Sequence, residues 1–339
     1  MNLITVQTQN VMQMQETPLT EETVTKEKIL EEFKDVFTGL GHMDGAMHLE
    51  LDPNIQPKVM PPRRVPVAIK DPLKEELQRL EREGIIKKVD KPTDWVSALV
   101  VIPKQNGKLR VCIDPLYLNQ ALKRSHYPLP IIDDVLPELS KAKVFTKVDL
   151  REGFLQVELD EESSYLTTFQ TPWGRFRYLR MPFGISPAPE CFQRKLDENI
   201  EGLSGVFSIA DDILITGQGE TLAQANADHD KNLKALLNRC REKNIKLNES
   251  KFEFRCSSIP YIGHILTDEG LKPDPAKIQA IVEMERPTDV PAVQRFVGMV
   301  KYLSRFLQKA CLRCVNLSVN SHTRMHKAKR RHSIKSRRQ

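Results

Sequence analysis

The sequence predicts an α+β fold in which a mixed β-sheet carries helices on one face. Three observations support this class. Strand-like apolar runs interleave with amphipathic helical segments, an Asn-Gly pair joins two of the runs as a tight hairpin, and the stretch VFSIADDILITG (206–217) sets an acidic pair between two further apolar runs. With 339 residues, the chain has enough length for two domains or one large multi-lobed domain.

The N-terminal part of the chain is predicted to lead into this fold. Residues 1–50 form an acidic lead-in that is partly helical, with apolar positions at helical spacing over Lys26–Phe37. Residues 52–66 contain five prolines, which predicts an extended path. A helix is then predicted between Pro72, at its start, and Gly84, which stops it.

Two strands follow, WVSALVVIP (95–103) and LRVCI (109–113), joined by a hairpin turn at 104–108. The hairpin presents the basic side chains of Lys104, Lys108 and Arg110 at a loop end. A surface hairpin with solvated lysines has the same composition. Taken alone, the hairpin therefore indicates either a functional basic loop or a plain turn.

The acidic pair Asp133-Asp134 is predicted to open a helix within 129–142, because acidic side chains are stabilised at the positive end of a helix dipole. The next apolar run, KVFTKVDL (143–150), is predicted to be a buried strand that ends at Asp149. LQVELD (155–160) alternates as a half-buried strand does.

The remaining elements also mix strands and helices. The segment 165–184 predicts two strands around a Pro-Trp-Gly turn, and 187–203 predicts a helix. After VFSIADDILITG, the predicted elements are a long helix near Thr221–Asn244, a short strand YIGHIL (261–266), and two amphipathic helices in 276–285 and 291–307. The periodicity ends past Leu307, and the sequence contains no internal repeat.

The net charge of +6 is concentrated at the C-terminus. Residues 309–339 contain ten Lys or Arg and no acid, which leaves 41 basic and 45 acidic side chains, a net of −4, in the first 308 residues. A nucleic-acid contact by the folded part therefore requires a local basic groove. The tail is predicted to be a disordered basic extension, and the alternative is a sequence-independent phosphate binder.

The composition predicts an intracellular protein. The N-terminus has neither the basic start nor the apolar core of a secretory signal, and no apolar run approaches the ~18 residues that a membrane span needs. Six scattered cysteines predict a reducing compartment, the cytoplasm or the nucleus. A zinc site in the tail is disfavoured, because the Cys-to-His spacing is shorter than in zinc fingers; its ligands would be Cys311, Cys314, His322 and His326.

Three carboxylates are candidates for a metal site. Asp211 and Asp212 lie between two strand-forming runs, and Asp149 ends another apolar strand. If these strands are neighbours, the carboxylates meet at one sheet edge, where their repulsion and lost hydration require a cation. Such hard oxygen ligands suit two Mg²⁺ or Mn²⁺ ions ~3.5–4 Å apart. An ordinary acidic hairpin turn is the alternative interpretation.

The motifs, taken in order, resemble the reverse transcriptase of gypsy-type LTR retrotransposons. The resemblance extends from about Leu49 to Leu307, and the motifs are LRVCIDPLYLN, HYPLP, FTKVDLREGF, LTTFQTPWGRFRYLRMPFGISPAPECFQ, IADDILI, NIKLNESKFEF and YIGHILTDEGLKPDPAKIQAI. It implies a right-hand polymerase fold with a mixed, mainly antiparallel palm sheet. The implied domains are fingers and palm over 51–265, a partial thumb or connection over 266–308, and a basic tail over 309–339.

The resemblance also implies RNA-directed DNA polymerisation by two-metal nucleotidyl transfer. Asp149, Asp211 and Asp212 match the catalytic carboxylates that hold two Mg²⁺ or Mn²⁺ ions. The implied partners are dNTPs and an RNA or DNA template with its primer. The residues implied to contact the dNTP are Lys104, Arg110, Phe154, Phe183 and Gly184. Those implied to contact the primer are Tyr261, Ile262, Gly263 and His264.

Two of these roles have alternatives, and two positions depart from the family. Phe154 matches an aromatic residue that crowds the ribose 2′-hydroxyl, or it is an ordinary core phenylalanine. Lys104 matches a phosphate-binding lysine only loosely, because hairpin length varies. Ile209 replaces an aromatic residue before the aspartate pair, and Leu116 replaces a basic residue of many relatives.

The resemblance stops near Leu307, before the RNase H and integrase segments that the family's polyproteins carry, and no Asp or Glu follows residue 308. Those domains, and the protease, are therefore expected in the full-length element rather than here. Two rival functions stay open: a truncated or domesticated fragment that only binds nucleic acid, and a metal-dependent nuclease that uses the same acids. The sequence carries no feature that sets an oligomeric state.

Overall fold

The computed structural model describes residues 24–103, 107 and 109–306. Within these residues the helices are α1 (Lys26–Glu32), α2 (Lys34–Phe37), α3 (Val67–Arg82), α4 (Leu118–Ala121), α5 (Ile132–Leu139), α6 (Glu161–Leu166), α7 (Ala188–Ile200), α8 (Leu222–Glu242), α9 (Pro275–Val282) and α10 (Val290–Tyr302). The strands are β1 (Met43–Met47), β2 (Ile86–Lys88), β3 (Ser97–Pro103), β4 (Leu109–Asp114), β5 (Ala142–Asp149), β6 (Val157–Leu159), β7 (Phe169–Thr171), β8 (Gly174–Tyr178), β9 (Val206–Ile209), β10 (Asp212–Gln218), β11 (Glu253–Cys256), β12 (Ser258–Tyr261), β13 (His264–Thr267) and β14 (Gly270–Pro273).

The central sheet is antiparallel throughout, with strand order β11-β5-β10-β9. Its residues alternate between two cores, as a pleated strand requires. Val148 and Ile213 face the core that contains α8, while Phe145 and Leu214 face the core that contains α5 and the β12–β13 hairpin. Helices therefore lie on both faces of this sheet, and the prediction that they lie on one face is wrong.

A second sheet has the order β2-β8-β7-β3-β4 and contains one parallel pair, β3 with β7. The predicted hairpin between β3 and β4 is confirmed, and its register places Ile102 opposite Arg110. Lys104 lies outside the described residues, so its predicted role stays a prediction. The fold is thus the predicted α+β class with mixed pairing, and none of the helices that the described residues form is long and apolar enough to cross a membrane.

Residues 24–50, the described part of the predicted lead-in, contribute side chains to the main core. Ile29, Phe33 and Val36 are almost fully buried in the core that also contains α8. Asp35 accepts two hydrogen bonds from the Arg241 guanidinium, at 2.7 and 2.8 Å. The apolar positions at helical spacing over Lys26–Phe37 form the buried side of these helices, as is typical of a helix packed on one side.

Three other boundaries differ from the prediction. Helix α3 begins at Val67, so Pro72 lies inside it; the missing Pro72 N–H removes one helix hydrogen bond while the apolar face of α3 still packs into the core. YIGHIL is two strand ends around a turn at Ile262 and Gly263 rather than one strand. The predicted boundary between residues 265 and 266 falls inside β13, and the three-stranded sheet β12-β13-β14 continues to Pro273.

Candidate active site

The central sheet brings the predicted carboxylates to one edge. Strands β5 and β10 pair in a register that places Asp212 directly opposite Asp149. Asp211 lies in the turn between β9 and β10, and its carbonyl accepts the Leu150 N–H at 3.1 Å. The conditional prediction that these strands are neighbours is confirmed, and three acids lie at the same end of the sheet.

The turn that carries Asp211 is held by Gln193, a residue that the sequence analysis did not identify. Ala210 has φ of +54°, a left-handed conformation that is uncommon for a residue other than glycine. Its N–H donates to the Gln193 side-chain oxygen at 2.8 Å, and the Gln193 amide donates to Ser208 Oγ at 2.9 Å. Gln193 is buried in α7, so the available signal was a polar side chain on the apolar face of a helix.

Asp149 is paired with a lysine in this structure. Lys251 Nζ lies 2.7 Å from Asp149 Oδ2. Across the part of the chain that the structure describes, no three His, Cys, Asp or Glu side chains are grouped closely enough to enclose a metal ion. The three aspartates are thus neighbours on the sheet edge, but Asp149 faces an ammonium group instead of closing a ligand set. Lys251, in the sequence NESK, was not predicted as a site residue.

The burial and charge environment of Asp211 are those of a carboxylate that can bind a cation. Its Oδ1 is buried, and no described residue gives it a hydrogen-bond partner. The pKa of Asp211 is raised to about 6, chiefly by burial and then by the charges of Asp149 and Asp212, while the charges of Lys251 and Arg110 partly offset the rise. Burial also raises the pKa of Asp212, which Lys147 opposes. A buried, unpartnered carboxylate oxygen among further carboxylates suits a hard divalent cation, so the donor set fits Mg²⁺ or Mn²⁺.

A cavity of about 390 Å³ opens beside two of the three aspartates. Asp149, Asp211, Arg110, Phe183 and Lys251 all line it. The Arg110 guanidinium carbon lies 5.1 Å from the centre of the Phe183 ring, within the range of a cation–π contact. The cavity therefore combines carboxylates on one wall with a cation on another.

Phe154 lies near Phe183 and Gly184, the other described residues of the predicted nucleotide contacts besides Arg110. The Phe154 ring lies 5.0 Å from Phe183 and 5.2 Å from the buried Phe192, so one face of Phe154 is held by the core. Gly184 has φ of +105°, and a Cβ there would lie 2.8 Å from the Ile113 carbonyl oxygen. Only glycine fits this close approach.

The predicted primer contacts divide into buried and exposed residues. Tyr261 and His264 are 1% and 6% exposed, so their side chains point into the protein. Ile262, at the turn, is 37% exposed. Any contact of this hairpin with a ligand would therefore be made by the turn at Ile262 and Gly263.

The second acidic pair has the structural role predicted for it. Asp134 accepts the Ile131 N–H at 2.8 Å and so caps the start of α5. Asp133 is bound by Arg305 Nη2 at 2.5 Å. Both aspartates are exposed, in contrast to Asp149 and Asp211.

We expect Asp211→Asn to stabilise the metal-free protein at pH 8. At that pH the wild-type carboxyl is ionised in both folded and unfolded states, and burial disfavours the ion only in the folded state. The amide removes this cost, and the gain is about 1 kcal/mol after allowance for partial exposure. Urea unfolding in EDTA at pH 8 and pH 5 would measure it.

The pH dependence distinguishes this cause from a packing change. Because the pKa of Asp211 is raised to about 6 on folding, the wild-type carboxyl takes up a proton in the folded state as the pH falls through 6. The wild type then recovers stability, so its difference from Asp211→Asn should shrink by pH 5. Asp134→Asn, at an exposed site, serves as the control. A variant that is less stable than wild type at pH 8 would contradict the prediction.

The central sheet, the aspartate turn and the facing arginine define the class of the protein: it has the right-hand polymerase fold. Residues 102–266 match the family described as reverse transcriptase (RNA-dependent DNA polymerase). The chain is 35% identical over 244 residues to the retrovirus-related Pol polyprotein from transposon 412 of Drosophila melanogaster, a match that covers 69% of this chain and 19% of that protein.

Solved structures agree on the fold. The foamy viral protease-reverse transcriptase in complex with double-stranded DNA superposes with a TM-score of 0.73 at 17% identity, over 83% of this chain and 50% of that chain. The same viral protein in complex with an RNA/DNA hybrid gives a TM-score of 0.70 at 16% identity, over 83% of this chain and 38% of that chain.

The chain therefore belongs to the reverse transcriptase family, and it carries the reverse transcriptase domain of an LTR-retrotransposon Pol polyprotein. It spans about a fifth of the length of the curated relatives it matches.

Proposed function

We propose that this chain is an RNA-directed DNA polymerase that adds dNTPs to a primer 3′-hydroxyl. One observation carries the proposal: the cross-strand register that places Asp212 opposite Asp149, with Asp211 in the adjoining turn and Arg110 facing the same cavity. Foamy viral relatives of the same fold bind double-stranded DNA and an RNA/DNA hybrid, which supports a primer–template as the ligand.

In the proposed reaction each side chain has one task. Asp149 and Asp211 would hold the divalent cations, with Asp212 as the third carboxylate. When bound, such ions neutralise charge on the phosphate and favour ionisation of the attacking hydroxyl. Arg110 would bind the triphosphate, because its guanidinium contacts Phe183 and faces the carboxylate wall.

Lys251 would have to leave Asp149 before that residue could hold a cation. Its side chain is 58% exposed and reaches Asp149 from the far end of a flexible stem, so this change needs no movement of the backbone. In the absence of metal, the ammonium offsets the repulsion between the neighbouring aspartates.

The proposed polymerase function also assigns the fingers, palm and thumb subdomains. We place the fingers and palm in residues 51–265 with the rest of β13 and β14, and a partial thumb in α9 and α10. The rival of an inactive nucleic-acid-binding fragment keeps the fold without the chemistry. The nuclease rival uses the same acids, but the cavity wall formed by Arg110 and Phe183 supports a bound triphosphate instead.

Primer extension on an RNA template with Mg²⁺ or Mn²⁺ tests the proposal. The expected result is template-dependent extension by single dNTP additions. Salt-sensitive binding of primer–template without any extension would favour the inactive fragment. Release of short products from an unprimed strand would favour the nuclease.

Phe154 gives a test of sugar selectivity. Its ring is held between Phe183 and Phe192, so Phe154→Val should open space beside the nucleotide ribose without moving the cavity. We expect the preference for dNTPs over rNTPs to fall by roughly 10²-fold, which is the scale of discrimination that a steric contact provides. Single-nucleotide incorporation kinetics would measure the ratio of kcat/KM values.

Phe192→Leu is the matched control for Phe154→Val. It removes an aromatic contact of the same cluster from the buried side and is expected to lower stability without changing sugar selectivity. If Phe154→Val keeps the wild-type preference for dNTPs over rNTPs, Phe154 is an ordinary core residue.

A further inference from the structure

The turn between β12 and β13 has a backbone that its sequence disfavours. Ile262 has φ of +45° and Gly263 has φ of +78°. Gly263 adopts this region freely, but a β-branched residue does so only where the surroundings enforce it. Ile262 is also 37% exposed, so packing of its own side chain does not explain the conformation.

Two donors from the last helices converge on this turn. The Tyr302 hydroxyl, from the end of α10, donates to the Gly263 carbonyl oxygen. Lys277 Nζ, from α9, donates to the same carbonyl at 3.2 Å and lies 4.0 Å from the centre of the Tyr302 ring. The carbonyl is thus held by one side chain from each helix, and the two side chains hold each other.

The ring of Tyr302 is fixed as well as its hydroxyl. It stacks on the buried His264 ring at 4.9 Å with an interplanar angle of 9°. Tyr302 Oη lies 3.1 Å from His264 Nδ1, where a hydroxyl that donates to Gly263 can accept a hydrogen bond from the imidazole Nδ1–H. Stacking and hydrogen bonding therefore act on two successive residues of the hairpin.

A further tie fixes the segment that follows α10. Arg305 Nη2 donates to Asp133 Oδ2 at 2.5 Å, which joins this segment to the start of α5. Helix α5 and the β12–β13 hairpin belong to the same core, on the face of the central sheet that carries Leu214. Tyr302 is therefore anchored to the same body as the turn that it holds.

We propose that Tyr302 is a positioning residue that holds the Ile262–Gly263 turn in its left-handed conformation, so that the turn can contact the primer strand. The proposal rests on the proposed function and on the primer contact that the family resemblance implies for this hairpin. It assigns the contact with nucleic acid to the turn and the fixing of the turn to the thumb helices.

Tyr302→Phe removes the hydroxyl while it keeps the ring that stacks on His264. Hydrogen exchange of the protein without nucleic acid should be roughly fivefold faster in a peptide that covers 258–267, since one hydrogen bond is lost. Elsewhere exchange and the melting temperature should match wild type. Tyr165→Phe, in α6, is the control and should leave 258–267 unchanged. Unchanged exchange at 258–267 in Tyr302→Phe would overturn the proposal.

A second variant separates support of the turn from docking of α10. Asn adopts the left-handed region more readily than isoleucine, so Ile262→Asn in the Tyr302→Phe background should restore most of the lost protection. Exchange that stays as fast as in Tyr302→Phe would show that the hydroxyl only docks the helix, and this too would overturn the proposal.

The activity measurement is kept apart from the exchange measurement. In primer extension, Tyr302→Phe should raise the KM for primer–template roughly fivefold and leave kcat within about twofold, because the loss affects placement of the primer. A lower kcat at an unchanged KM would overturn the link to the primer. If the wild type extends no primer, the proposed function fails, while the exchange result still decides whether Tyr302 fixes the turn.

Discussion

Asp149→Asn and Asp211→Asn are each expected to lower the rate of primer extension by roughly 10³-fold or more, because each would remove a carboxylate proposed to hold a divalent cation. Both carboxylates line the cavity that Arg110 faces. Asp212→Asn should cost less, because Asp212, unlike Asp149 and Asp211, does not line the cavity that Arg110 faces. Single-turnover incorporation at saturating dNTP would measure all three variants.

Asp134→Asn is the matched control for these substitutions. It makes the same chemical change in the other Asp-Asp pair of the chain, Asp133-Asp134. Asp134 lies at an exposed helix start, where the amide oxygen of asparagine can still accept the Ile131 N–H. Its extension rate should equal that of wild type. Equal losses in Asp134→Asn and Asp149→Asn would point to a general effect on folding. Extension by Asp211→Asn at the wild-type rate would remove Asp211 from the proposed centre.

The two acidic pairs show which features of the site can be predicted from neighbouring residues in the sequence. Strand-forming flanks predicted that Asp211 and Asp212 lie at a hairpin, and the helix-capping context predicted the role of Asp134, because both signals are carried by neighbouring residues. The pairing of β5 with β10 joins segments far apart in the chain, so the convergence of Asp149 with Asp212 could only be stated as a condition. Strand pairing is a tertiary outcome, and local periodicity does not encode it.

The residues that support the site were missed for a related reason. Gln193, Lys251 and Tyr302 are single polar side chains in segments whose pattern predicts only a helix or a loop. Each acts through long-range hydrogen bonds or an ion pair, which leave no repeating signal in the sequence. Residues 24–50 differ from these three residues, because the spacing of their apolar side chains is a local pattern that the sequence shows. Their acidic composition nevertheless favoured the prediction of a lead-in over that of a core segment.

Arg110→Ala is expected to lower kcat/KM for dNTPs by about 10²-fold, chiefly through a higher KM. The guanidinium is held 5.1 Å from the centre of the Phe183 ring and faces the cavity, so it is placed to bind a triphosphate before the reaction begins. Its positive charge also lowers the pKa of Asp211, although burial outweighs this effect. Part of any change in kcat would therefore reflect a change in Asp211.

Arg110→Lys separates charge from geometry. Lysine keeps the positive charge but loses the planar fork and its fit to the ring, so its kcat/KM should fall between those of wild type and Arg110→Ala. Lys234→Ala, on the exposed side of α8, removes a positive charge from a residue that does not line the cavity and should leave the KM for dNTPs unchanged. If Arg110→Ala binds dNTPs as wild type does, the cavity beside Asp149 and Asp211 is not the triphosphate site. The nucleotide would then have to approach the aspartates from the side of Lys147 and Tyr261, where Asp212 would become the dominant ligand and Asp212→Asn the most damaging substitution.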